Sequence, residues 1–216
     1  MSTPKANTRF LDISTLPGRY FVFEGLDGSG KSTQCQKLVA HFQQQGHTVL
    51  HTREPTDSPF GTQLRSLAAQ GQRLPPQQEL ELFIQDRKAH LQQCVLPALQ
   101  QGQIVIQDRY FPSTLAYQGS RGLPLQDMLD AHQGWAPLPH HFFYLQLSAQ
   151  QSQQRIQQRN ITRDAFEQYA SLQRCAQIFA QLQLPNWHII PATQSVEQVH
   201  QQTIRALKEP SSLDHL

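Results

Sequence analysis

The run Gly25-Leu26-Asp27-Gly28-Ser29-Gly30-Lys31-Ser32 constrains this chain more than any other stretch. Its glycines and terminal Lys-Ser have the pattern of a phosphate-binding loop, and both flanks suit one. Ahead of it, Arg19-Tyr20-Phe21-Val22-Phe23-Glu24 is apolar and predicts a buried strand. Behind it, Lys31 to Gln45 contains no Gly or Pro, and Leu38, Val39 and Phe42 recur at helical spacing. Strand, glycine loop and helix in that order turn backbone N–H groups inward around a phosphate chain at a helix N-terminus. In that geometry Gly25 to Thr33 would cradle the phosphates of a nucleoside triphosphate. Lys31 would reach the β- and γ-phosphates, and the Ser32 hydroxyl would ligate Mg²⁺.

The rest of the chain alternates between strand-like and helix-like segments. Further strands are predicted at Thr48–Thr52, Gln103–Gln107, Phe142–Leu147 and Trp187–Ile190. Helices are predicted over Gly61–Gln70, Gln77–Gln100, a segment from near Ser113, Ala149–Arg159, Arg163–Leu182 and Ser195–Lys208. Pro97 would kink or tighten the end of the long second one. Such alternation predicts an α/β fold: a five-stranded parallel sheet with helices on both faces. Residues 1–17 are polar and patternless and predict a flexible leader, 18–208 a single domain, and 209–216 a polar tail.

Bulk properties narrow the function classes. With 216 residues, 16% charged and a net charge of +2, the chain has no broad basic face for nucleic acid. No apolar run approaches the ~20 residues that span a bilayer, and no apolar leader marks a signal peptide. Cys35, Cys94 and Cys175 are odd in number and far apart, which predicts reduced thiols and a cytoplasmic protein.

In an open parallel sheet, ligands sit beyond the carboxyl ends of the strands. Three polar clusters fall there: Glu24 to Ser32, Arg53-Glu54-Pro55, and Asp108-Arg109-Tyr110. Their convergence predicts a two-substrate phosphoryl-transfer site. Asp108 follows Ile-Val-Ile-Gln, where a carboxylate helps to hold Mg²⁺. Arg109 can grip a phosphate bidentately.

Together these motifs resemble the thymidylate kinase family. The resemblance is carried by Phe23 to Gln34, Thr52-Arg53-Glu54-Pro55, Asp108-Arg109-Tyr110, Ser113-Thr114 and Ala116-Tyr117-Gln118-Gly119. It implies the P-loop kinase fold and transfer of the ATP γ-phosphate to dTMP, with Mg²⁺, in a homodimer. Phe83 and Arg87 would stack on thymine and bond its O4, with Ser113, Thr114 and Gln118 lining the base pocket. Tyr117 would pack where a ribose 2′-hydroxyl projects. Arg109 and Arg53 would hold the acceptor phosphate, Asp27 would touch the acceptor sugar and the metal region, and Glu24 and Asp108 would serve the metal. Lys31, Asp27, Arg109 and Arg159 would form the catalytic set.

Gly28 stands where some members of that family carry a phosphate-contacting arginine. The resemblance then implies that Arg155, Arg159 and Arg163, in a lid over about 150–165, contact ATP. Two alternatives stay open at this point: a P-loop kinase of another nucleotide or deoxynucleoside, and a catalytically silent ATP-binding module.

Overall fold

The computed structural model describes residues 10–158 and 165–211. Five strands form one parallel sheet in the order β2-β3-β1-β4-β5: β1 Arg19–Glu24, β2 Val49–Arg53, β3 Ile104–Asp108, β4 His141–Gln146 and β5 Trp187–Pro191. The helices between them are α1 Lys31–Gln44, α2 Pro59–Ala69, α3 Pro76–His90, α4 Leu96–Gln100, α5 Phe111–Gly119, α6 Leu125–Asp130, α7 Ala149–Gln157 and α8 Ala165–Gln181, with α9 Val196–Ala206 after β5. The P-loop fold expected from the motifs is the fold observed.

Side chains alternate along each strand, and the alternation divides the core in two. Tyr20, Val22, Val105, Phe142 and Tyr144 face one way and pack with α5 and α8. Phe21, Phe23, Ile106, Phe143 and Leu145 face the other way, against Cys35 and Leu38 of α1 and Val199 and Ala206 of α9. A sheet buried on both sides explains why its strands read as nearly continuous apolar runs.

Two expectations need correction. Residues 10–17 do not form part of a flexible leader. Phe10 stacks on Phe111, Ile13 is buried in the core, and Leu11 forms a parallel bridge with Pro137. Their apolar residues were too few to show a period. The single long helix of 77–100 is α3 and α4 joined by a π-helical turn, Leu91–Val95. Pro97 lies in the first turn of α4, where a missing N–H is tolerated.

Strand order fixes where a ligand can lie. The chain leaves β1 to build β2 and β3 on one side, then crosses back to β4 on the other. The crevice beyond the end of β1, between β3 and β4, is the switch point of the sheet. Register brings the polar clusters level there, with Asp108 opposite both Phe23 and Arg53.

Candidate active site

The loop after β1 turns on Gly25, Gly28 and Gly30, all at positive φ (139°, 76° and 93°). Gly30 caps α1, so the helix N-terminus opens into the loop. Leu26 contributes its backbone to the loop while its side chain is buried in the core. Lys31 folds into the loop and donates to the carbonyls of Gly25 (3.1 Å) and Leu26 (2.9 Å). Burial, and then the Arg109 charge, push its pKa down to about 8.

Ser32 and Thr33 are exposed in the first turn of α1. The Ser32 hydroxyl donates to Asp108 Oδ2 at 2.6 Å, while Asp108 Oδ1 is buried without a partner. A hydroxyl oxygen beside a carboxylate with one unspent buried oxygen is a hard oxygen donor set that suits Mg²⁺. Glu24 does not join that set, contrary to expectation. It is fully buried, and both its oxygens are taken by Tyr110 N–H (2.7 Å), Ser113 N–H (3.2 Å) and the Ser113 hydroxyl (2.5 Å). Burial raises its pKa to about 7. Glu24 therefore ties β1 to the start of α5.

Arg109 leaves β3 with φ of 70°, which is costly for a residue with a Cβ. The buried Gln107 amide holds that backbone, donating to the Arg109 carbonyl at 2.8 Å while its oxygen accepts from Tyr20 (2.6 Å). The guanidinium is thereby aimed at the mouth of the loop. It donates to Asp27 Oδ1 (2.5 Å) and Ser113 Oγ (2.9 Å) and lies over the Tyr117 ring, 5.2 Å from its centroid. Tyr117 in turn donates to Asp27 Oδ2 at 3.1 Å. Desolvation works against ionisation of Asp27, but Arg109 and Lys31 hold its carboxyl below the ordinary range.

A cavity of about 300 Å³ adjoins this group and is lined by Asp27, Phe83, Arg87, Arg109, Ser113, Thr114, Tyr117 and Gln118 among others. Eight of the residues expected at an acceptor site thus share one cavity. Arg87 is fully buried, paired to Glu54 (2.7 Å) and donating to Thr114 Oγ1 (3.0 Å). Gln118 is oriented by Glu79, which also takes Arg73 and Arg121.

Arg53 departs from expectation. Its side chain is 62% exposed, lines a separate groove and, among the described residues, reaches only Asp57, at 3.5 Å. The strand period explains why: β2 is an edge strand, so when Arg53 points out, the next residue, Glu54, points in and is buried. Arg155 also departs. Its guanidinium donates to the carbonyls of Gly28 (3.2 Å) and Ala192 (2.8 Å), bracing the loop from behind. α7 begins at its Ser148 cap, so Ser152 reaches the Asp27 carbonyl (2.6 Å) and Arg155 lies one turn further on. Arg159 and Arg163 lie outside the described residues.

The loop Thr56–Ser58 is fastened by Asp86 of α3, which accepts from Thr56 N–H (2.9 Å), the Thr56 hydroxyl (2.5 Å) and Ser58 Oγ (2.6 Å). Arg65 of α2 donates to the carbonyls of Pro55 and Thr56. Gly61 permits this closure: a Cβ there would overlap the Thr56 carbonyl oxygen and come within 2.8 Å of Asp86 Oδ1. Gly61→Ala is therefore expected to destabilise the protein by about 2 kcal/mol and to raise the acceptor KM. Urea unfolding and acceptor titration check this, and unchanged values in both would show that the loop closes otherwise.

Comparison with known proteins identifies the family. The profile of the family described as Thymidylate kinase matches residues 23–203. A Thymidylate kinase of Xanthomonas campestris pv. campestris (strain B100) is 42% identical over 193 residues, covering 89% of this chain and 84% of that protein. A Thymidylate kinase of Xylella fastidiosa (strain M12) is 38% identical over 182 residues, covering 84% and 83%.

Proposed function

The chain belongs to the thymidylate kinase family, and from that premise we propose that it transfers the ATP γ-phosphate to dTMP, giving dTDP and ADP. The observation that carries the reading is the single cavity joining Phe83 and Arg87 at one end to Arg109 and Asp27 at the loop mouth. A pyrimidine at the first end and a monophosphate at the second span that cavity. Phe83 stacks on the base, Arg87 bonds its O4, and Ser113, Thr114 and Gln118 complete the pocket.

A phosphate oxygen of dTMP is already ionised, so no general base is required to make it a nucleophile. It attacks the γ-phosphorus while the bond to the β-bridging oxygen breaks. Positioning and charge neutralisation carry the rate. Lys31 neutralises the β- and γ-oxygens, Arg109 fixes the attacking phosphate, and Asp27 fixes Arg109. Ser32 and Asp108 would hold Mg²⁺, which supplies charge neutralisation between the β- and γ-phosphates. Arg159 would complete the charge clamp, as the family resemblance implies. Arg155, held on Gly28 and Ala192, supports the loop. The buried thiols Cys35 and Cys175 suit a reducing cytoplasm, and the active form is a homodimer, as the family resemblance implies.

A coupled ADP-release assay over a panel of nucleoside monophosphates tests the reading. dTMP is expected to be the best acceptor, with dUMP about tenfold weaker for want of a methyl group. UMP, CMP and AMP should be negligible, and Tyr117→Ala should admit ribonucleotides. Equal phosphorylation of UMP or CMP by the wild-type protein would transfer the assignment to another nucleotide kinase.

A further inference from the structure

Arg87 has five N–H donors and no acceptor. Nε and Nη2 both lie 2.7 Å from Glu54 Oε2, Nη2 also donates to Thr114 Oγ1 at 3.0 Å, and Nη1 meets His132 Nε2 at 2.7 Å. One N–H of Nη1 is left without a partner among the described residues. This count depends on His132, whose imidazole is fully buried between Phe111 and Trp135.

His132 can accept from Arg87 in one state only. Its Nδ1 lies 2.7 Å from the Met128 carbonyl oxygen, which cannot donate, so the ring proton belongs on Nδ1 and the lone pair on Nε2. Ring contacts with Phe111 and Trp135 oppose a flip. Burial, and then the Arg87 charge, push the His132 pKa down to about 3, so the lone pair persists at neutral and mildly acidic pH. His132 does not line the acceptor cavity. It acts from behind.

We propose that His132 is a positioning residue for base selection: its neutral Nε2 holds the Arg87 guanidinium so that one Nη1–H is presented to the acceptor, favouring pyrimidines with an oxygen at C4 over those with an amino group. The inference rests on the reading above that Arg87 faces the base. A 4-amino group would set N–H against N–H and leave donors unpaired, which costs far more than a lost methyl contact. Without the His132 acceptor the guanidinium gains freedom to tilt, and that discrimination falls.

The test compares dTMP with 5-methyl-dCMP, which keeps the methyl group, replaces the 4-oxygen by an amino group and turns N3 from donor to acceptor. His132 bears on the first of these changes, so its effect is read from the change in the ratio on substitution. His132→Phe keeps the aromatic packing and removes the acceptor. It should raise the dTMP KM about tenfold, hold kcat at saturating dTMP within about threefold, and lower the dTMP to 5-methyl-dCMP ratio of kcat/KM at least ~10-fold. The KM for ATP should not move. His132→Gln, whose amide oxygen can accept, should restore the ratio. An unchanged ratio in folded His132→Phe overturns the inference alone; a wild-type protein that accepts both nucleotides equally overturns the reading of Arg87 as well. Should His132→Phe fail to fold, ¹⁵N spectra of the wild-type histidines decide. A neutral ring protonated on Nδ1 at about pH 5.5 supports the proposal. An Nε2–H ring or an imidazolium overturns it.

Discussion

Lys31→Ala is expected to lower kcat at least ~10²-fold while leaving the fold intact. The ammonium donates to two loop carbonyls and carries a proton that burial makes easier to lose. Phosphate oxygens would replace those carbonyls and hold the proton. Removing Lys31 therefore removes charge at the place where charge moves during transfer. The helix itself should tolerate the change, because alanine is the best helix former and a buried cation is removed. Coupled ADP release gives kcat, and thermal unfolding tests the fold. Wild-type turnover by a folded Lys31→Ala protein would end the phosphoryl-transfer reading.

Arg109 carries the second large effect. Arg109→Ala strips Asp27, Ser113 and Tyr117 of their shared donor and removes the grip on the acceptor phosphate. Loss of one partner from such a charge pair costs about 2–5 kcal/mol, so kcat/KM for dTMP should fall by at least ~10²-fold. A companion variant separates side chain from backbone. At φ of 70° alanine is strained and glycine is not, so Arg109→Gly should be more stable than Arg109→Ala by about 1 kcal/mol yet equally inactive. Urea unfolding and acceptor titration measure the two effects. An unaltered dTMP KM in Arg109→Ala would place the acceptor phosphate elsewhere.

What was legible in the sequence was local. Glycine spacing, the Lys-Ser pair and apolar strands are consecutive along the chain, and they led to the loop, the sheet and the cluster at its carboxyl edge. Ser113, Thr114, Tyr117 and Gln118 follow Arg109 on one short helix, but their grouping around one cavity was legible only through the family resemblance. The partners that fix these groups were not. Glu54, Asp86, Gln107 and His132 act across the fold, and no spacing links them to the residues they hold. Glu54 alone had a signal, since strand alternation past Arg53 points it inward. Glu24 misled because an acidic residue at a strand end reads the same whether it faces a metal or, as here, the backbone of α5. Arg155 misled because helical spacing gives a face without saying what lies opposite.

The π-helical turn between α3 and α4 bears on how this chain can change length. Arg87, Leu91, Val95 and Leu99 are all buried, at intervals of four residues. Along a regular α-helix such a series drifts about 40° per step, and the wider turn at Leu91–Val95 takes up the drift. One half of the helix can then serve the acceptor cavity while the other serves the core. Deleting a residue there would remove the wider turn and, with it, the place where the drift is taken up. Exchanging the exposed Gln92, Gln93 or Cys94 would disturb neither half. Among descendants of this sequence the segment should be free in composition and fixed in length.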